Sequence, residues 1–541
     1  MSHPRSIRVS RAVLATLLIP FSTLVAVGQI AVTTYHYDNN RTGWNQQETV
    51  LTPANVTSSS FGLLHTVSLD DQVDGQPLLV PGVIITAGSY QGKHDVVYVA
   101  SEGNTVYAID SESGDVLLSP NFGAPVPHPL GCTNNGPNVG INSTPVIDSS
   151  SNTLYAIVYT NDAGRPTYRI HALDLGSLTD KIKPVVIAAS HTLTDGTTLS
   201  FNATYQRQRP GLLLTSGNVY AGFGSFCDFA PNLSRGWLLG WSAASLTPLP
   251  ANQLVDTRVK SPGTFFLSSI WMSGYGLASD DSGNILFVTG NSDHSGSTYD
   301  GIANLQESVV KVSSNLTTVL DLFTPKNQAS LDKTDSDFGS GGILVLPDQP
   351  GSIPHLAVAA GKAGALFLMN ADHLGGYSPI SNDVLGTYGG GSCWCGPSYF
   401  VDSDGGARVV TSGGRTARVW KVNTSPSPSL TNVANSTGIG GGQDAGFFTT
   451  ISSNGKASPI LWALSRPPKP STTSPIYLYA FDPDSVSGST MKLLFDGAAG
   501  NWPNLSGNAN LVPVVANGEV FVASNKQLQI FGLLGDKAKA K

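Results

Sequence analysis

The chain has 541 residues, with 30 basic against 37 acidic side chains and a formal net charge of −7. Only 12% of residues are charged while 40% are hydrophobic, which excludes a disordered chain and supplies a large core. The acidic balance, without any cluster of Lys or Arg, argues against nucleic acid, whose phosphates need a concentrated basic surface.

In chain order, Arg5, Arg8 and Arg11 precede an apolar run from Ala12 to Val27. The run closes on Ala26-Val27-Gly28, a small-x-small pattern that suits cleavage before Gln29. It is short for a membrane span and is interrupted by Pro20, Ser22 and Thr23. Residues 1–28 therefore read as a signal peptide. Residues 29–541 read as an exported chain, periplasmic or extracellular, with no membrane span after cleavage.

One unit then recurs: an apolar strand, a polar or Gly-containing turn, a second apolar strand and an acidic turn. It is clearest where Val96–Ala100 and Thr105–Ile109 flank Glu102-Gly103-Asn104, followed by the turn Ser111–Asp115. Related units start near Leu154, Val219, Ile285, Leu356, Ala407, Pro459 and Glu519, which makes eight. A lone sheet of this kind exposes two faces, whereas radial packing buries them and leaves only short edges. The expected fold is all-β: a single eight-bladed β-propeller of four-stranded antiparallel blades over residues 29–541. The last unit has too few strands of its own. Either Thr33–Tyr37 or Leu63–Val67 is expected to complete it, so that the N- and C-terminal segments close the ring.

The four cysteines, Cys132, Cys227, Cys393 and Cys395, suit an oxidising compartment and allow three connectivities. In a propeller the long inserts of successive units meet on one face near the axis, which favours Cys132 with Cys227. Cys393 and Cys395, one residue apart, are the poorer pair. No thiol pair precedes a His at haem-attachment spacing, and no H-E-x-x-H, P-loop or G-x-S-x-G occurs. Haem, zinc, nucleotide and serine-hydrolase chemistry thus have no support.

The segment VYVASEGNTVYAIDSESGDVL resembles the repeat of the quinoprotein, or pyrroloquinoline quinone (PQQ), propellers. Over nearly all the mature chain further motifs follow in that family's order. Arg41 and Thr52-Pro53-Ala54-Asn55-Val56 are similar to the opening of the quinoprotein alcohol dehydrogenases. Thr289-Gly290-Asn291 resembles their Gly-x-Gly-Asn turn, Val319–Ser340 the stretch after that blade, and Ala360–Gly376 their Lys-x-Gly strand pair. The resemblance implies PQQ and calcium as cofactors. A flat tricarboxylate quinone calls for cationic donors, an aromatic floor and a hard cation on oxygen ligands. By resemblance Lys362 and Trp271 contact the quinone, and Asp228 and Asn291 bind the metal. These residues belong to different blades, so they can meet only at the axial mouth of a closed ring.

The chain also departs from the pattern. The family's adjacent cysteine pair is here Gly131-Cys132-Thr133, and the Arg expected soon after is absent, with Asn138 and Asn142 in that stretch. The catalytic Asp before Asn-Leu is Ala303, ahead of Asn304-Leu305. Asp335, Asp337, Asp402 and Asp404 stand in Gly-containing turns and read as turn caps. No catalytic residue is assigned. The sequence reading is a noncatalytic exported propeller that presents its loop-rich top face to a small molecule or a protein. The alternative is a divergent PQQ- and calcium-dependent dehydrogenase of small alcohols or sugars.

Overall fold

The computed structural model describes Met1 and residues 29–134, 136–260, 265–292, 299–440, 444–467, 474–503 and 510–535. The segment read as a signal peptide lies outside the described residues. The chain is nearly all-β, and the one α-helix among the described residues is the six-residue Gln328–Lys333.

The first sheet shows why these sequences form these strands. Gly92–Ala100 pairs antiparallel with Val106–Asp110, in the register Val96↔Asp110 to Ala100↔Val106. Side chains alternate across a strand. Val96, Tyr98 and Ala100 accordingly enter one core, while Val97 and Val99 enter another. Both faces are covered, so the strand reads as an unbroken apolar run rather than as alternation.

The same plan repeats along the chain. Leu78–Ile85 and Val116–Leu118 complete the first sheet. The second is Val146–Asp148, Thr153–Asp162, Arg165–Asp174 and Asp180–Val186. The third centres on Asn218–Gly224 and Trp237–Ser242, with Arg207–Gln208, Leu213–Thr215 and Gln253–Leu254 at its edges. The fourth runs from Ala278–Ser279 to Val319–Thr324, the fifth from Ile343–Val345 to Gly386–Gly389, and the sixth from Ser398–Val401 to Ser429–Asn435. The seventh spans Thr449–Asn454 to Thr490–Trp502 and touches the sixth through the bridge Asn435↔Thr490. The final sheet is Val514–Ala516, Glu519–Leu533 and Phe61–Gln72.

Neighbouring sheets share cores. One core joins Tyr98 of the first sheet to Leu154 and Ala156 of the second, and another joins Tyr155 and Tyr159 to Phe223 and Trp237 of the third. Tyr220, Phe287 and Phe367 link the third, fourth and fifth sheets. Val358 with Trp420, then Val410 with Leu461, then Trp462 with Phe531 carry the packing from the fifth sheet to the final one. The last step returns to the start, for Val67, Phe521 and Leu528 pack with Val97 and Tyr107 of the first sheet.

Of the two closing segments expected, Leu63–Val67 is the one in the final sheet, where Val67 faces Leu528. Thr33–Tyr37 instead lies beside the second sheet, with the Thr33 carbonyl accepting from Ile147 N at 2.8 Å. Trp44–Asn45 adds in parallel to Thr449–Asn454.

Candidate functional site

Loops from the second sheet onward converge around a cavity of about 420 Å³. Asp228, Trp271 and Lys362 line it, together with Arg207, Arg209, Asp335, Asp337, Trp394 and Asp444.

Two of the cations come from the strand entrance of the third sheet. Arg207 and Arg209 lie two residues apart at an extended strand entrance, a spacing that directs both side chains to one side. Arg207 Nε donates to Asn142 Oδ1 at 2.8 Å, and Asn142 Nδ2 in turn donates to Glu102 Oε1. Glu102 is buried; desolvation, then the nearby Asp74, raises its pKa well above the usual range. Arg209 is only 6% exposed, and its Nη2 has no hydrogen-bond partner. Its guanidinium carbon sits 5.7 Å from the Trp271 ring centroid. Burial, reinforced by Arg207, pulls its pKa down to about 9.

The loop after Asn218–Gly224 carries Asp228. A disulfide joins Cys227 to Cys132, with Cα atoms 5.6 Å apart, and so ties two long inserts together. Cys227 and Asp228 both take left-handed backbone, with φ 51 and 55. Such a conformation disfavours side-chain-bearing residues and persists where its surroundings hold it. Ser225 Oγ donates to Asp228 Oδ1. Burial and then the charge of Asp337 push the Asp228 pKa up to about 6.

Trp271 precedes the short turn Met272–Gly274. It lies against the Thr289-Gly290-Asn291 turn, where a Cβ on Gly290 would stand 3.0 Å from Trp271 Nε1. Asn291 is buried behind this wall. Its backbone N donates to Asp337 Oδ1 at 2.8 Å, and its Nδ2 donates to Asp335 Oδ1 at 3.0 Å. The structure thus brings Asp228, Trp271 and Lys362 to one cavity and sets Asn291 just outside it.

Lys362 stands at the centre of the acidic side. Its Nζ is 3.0 Å from Asp335 Oδ1 and 2.9 Å from Asp337 Oδ2. It also lies 5.6 Å from the Trp271 centroid and 5.5 Å from that of Trp394. Burial alone would lower the pKa of the ammonium; Asp337 and then Asp335 outweigh that and raise it.

Three sequence expectations are corrected here. Asp335 and Asp337 do more than cap turns, because both meet Lys362; Asp402 does cap its turn, accepting from Gly406 N at 2.7 Å. Cys393 and Cys395, the poorer pair on paper, are also bonded. A single intervening residue is enough when the backbone folds back, and the bridge leaves Trp394 projecting into the cavity. Arginine is not missing from the site, since Arg207 and Arg209 reach it from a later unit. The usable signal was Arg-x-Arg in a chain so poor in charge. Ala303 presents only backbone, its carbonyl accepting from Thr257 N at 2.7 Å. The nearby Glu307 is buried behind the cavity wall, where its Oε2 accepts from Phe338 N.

No protein-family profile matches the chain, and no curated protein does. Solved structures do. The quinohemoprotein alcohol dehydrogenase of Comamonas testosteroni superposes with a TM-score of 0.58 at 12% identity, over 94% of this chain and 82% of that one. A quinohemoprotein alcohol dehydrogenase of Pseudomonas putida HK5 gives 0.53 at 12% identity, over 93% and 80%. A europium-containing methanol dehydrogenase gives 0.56 at 10% identity, over 93% and 98%. The likeness is one of fold: this is a β-propeller type of chain built like the quinoprotein alcohol dehydrogenases.

Proposed function

We propose that the chain is a divergent, exported dehydrogenase of small alcohols or sugars that holds a flat anionic quinone of the PQQ type. The observation that carries this reading is Arg209, whose buried, unpartnered Nη2 belongs to a side chain lining a cavity walled by Trp271 and Trp394. Leaving a buried charged donor unpaired costs about 1–3 kcal/mol or more, and a ligand carboxylate would satisfy it. The cavity volume is within the range of small-molecule sites. An eight-bladed ring is supported by the run of sheets and by the cores that link each to the next and the final one to the first. Export is supported by the N-terminal segment and by the two disulfides.

When bound, a quinone takes two electrons and the carbinol hydrogen from an alcohol. The chain's own residues would do the rest. Arg207 and Arg209 pair with carboxylates, Trp271 and Trp394 offer ring faces, and Lys362 brings a fixed positive charge. Asp228, on the cavity wall, accepts the hydroxyl proton. Calcium does not fit as the quinone does, because the carboxylates nearest Lys362 are already engaged by its ammonium and by Asn291 N–H groups.

A second reading, a propeller that binds without turnover, is favoured by Ala303 at the position of the expected catalytic Asp. Titration of the mature protein with PQQ, followed by tryptophan fluorescence and then by dye-linked alcohol oxidation, separates the two. Uptake with turnover supports the dehydrogenase, and uptake alone supports the binding propeller. Absence of uptake overturns both as quinone proteins.

A further inference from the structure

We propose that the Lys362 ammonium is a tethered cation standing in the place of a metal ion, so that this site works without one. The inference deepens the quinone reading, but the metal-free character of the cluster does not depend on it. Lys362 Nζ takes one oxygen of Asp335 and one of Asp337, at 3.0 and 2.9 Å, and also contacts the Asp335 carbonyl at 3.2 Å. The other Asp337 oxygen accepts from the Asn291 backbone. The Asn291 amide turns its NH₂ toward Asp335, and a carboxylate can only accept, so the amide oxygen points elsewhere. A calcium ion needs six to eight oxygens, yet here it would meet an ammonium and two N–H donors. Among the described residues, no group of three or more His, Cys, Asp or Glu side chains is placed to hold a metal ion.

The lysine is also fixed rather than adventitious. Its backbone N donates to the Asp337 carbonyl at 2.9 Å, which registers the two loops. Gly361 permits that approach, since a Cβ there would lie 2.6 Å from Phe338 Cα. The rings of Trp271 and Trp394 both lie within cation–π range of the ammonium. A protonated amine so held supplies the positive field that a metal would otherwise provide.

The test uses the EDTA-dialysed mature protein, titrated with Ca²⁺ and with Tb³⁺, whose emission Trp271 and Trp394 would sensitise. Wild type should show no binding at ~1 mM, the affinity of weak extracellular calcium modules. Lys362→Met leaves Asp335 and Asp337 without their cation. It should gain at least ten-fold in sensitised Tb³⁺ emission, together with a Ca²⁺-dependent rise in Tm. Wild type binding one Ca²⁺, no more weakly than Lys362→Met, overturns the proposal. Should Lys362→Met fail to fold, Lys362→Gln and wild-type PQQ uptake serve instead. Equal uptake in EDTA and in Ca²⁺ supports the tethered cation, and uptake only with Ca²⁺ refutes it. No uptake in either, with wild type still binding no metal, removes the quinone reading and leaves the lysine's role standing.

Discussion

The guanidinium carbon of Arg209 lies 5.7 Å from the centroid of the Trp271 ring, and Arg209 Nη2 has no hydrogen-bond partner. A charge buried in this way destabilises the empty protein and rewards an anionic ligand. Arg209→Met should therefore weaken PQQ binding by about ten- to a hundred-fold, the value of a charge-assisted hydrogen bond, while raising Tm. Binding isotherms and thermal melts on the same preparation check both halves. Undiminished affinity would remove Arg209 from the site.

The Cys132–Cys227 bridge closes a separation of 95 residues and holds the left-handed turn that carries Asp228. Replacing both cysteines by Ala should cost about 2–4 kcal/mol of stability. It should also weaken ligand uptake, because the Asp228 turn loses its tether. Chemical denaturation and quinone titration of the double variant measure the two effects.

Much of the sheet plan was legible because it is local. Val96–Ala100 and Thr105–Ile109 announce a strand, a turn and a strand within fifteen residues, and of the two closing candidates Leu63–Val67 is the one that pairs in the final sheet. Asp228, Trp271 and Lys362, far apart in sequence, line one cavity. Trp394 was not legible: only the backbone path that lets Cys393 reach Cys395 turns it inward. Nor were the partners of Lys362, since Asp335 and Asp337 sit in a segment whose local chemistry is that of an ordinary turn. Arg207 and Arg209 resemble a solvated strand entrance until the loops of other sheets bury them.

His36 provides a pH prediction. It is fully buried between Tyr35 and Tyr275, beside Arg41, and burial first of all lowers its pKa to about 3. A neutral His in the fold, against an unfolded value near 6.5, means that the unfolded chain binds more protons below that pH. Its contribution is whole above about pH 6.5 and is lost as pH falls toward 3, by at most ~1.4 kcal/mol per pH unit. His36→Asn tolerates the same left-handed φ of 52 and should flatten this part of the acid limb. Urea midpoints from pH 7 to pH 4 for the two proteins give the difference.

Gly290 leaves room for the Trp271 indole, with a would-be Cβ only 3.0 Å from Nε1. Gly290→Ala should displace the ring, shift its fluorescence and cost about 1–3 kcal/mol, as overpacking typically does. If emission and Tm both stay at wild-type values, the indole has slack that the geometry denies.

The pairing of Phe61–Gln72 with Glu519–Leu533 has a temporal side. A ribosome adds roughly 5–20 residues per second, so the first of these strands waits on the order of tens of seconds for its partner to be made. Through that interval Phe61–Gln72 carries a β edge without its partner, although every residue that lines the cavity, from Asn134 to Asp444, precedes the late strand in the chain. Whatever keeps the unfinished chain from pairing with its neighbours, whether a holding chaperone or delayed folding, acts on a ring that is not yet closed.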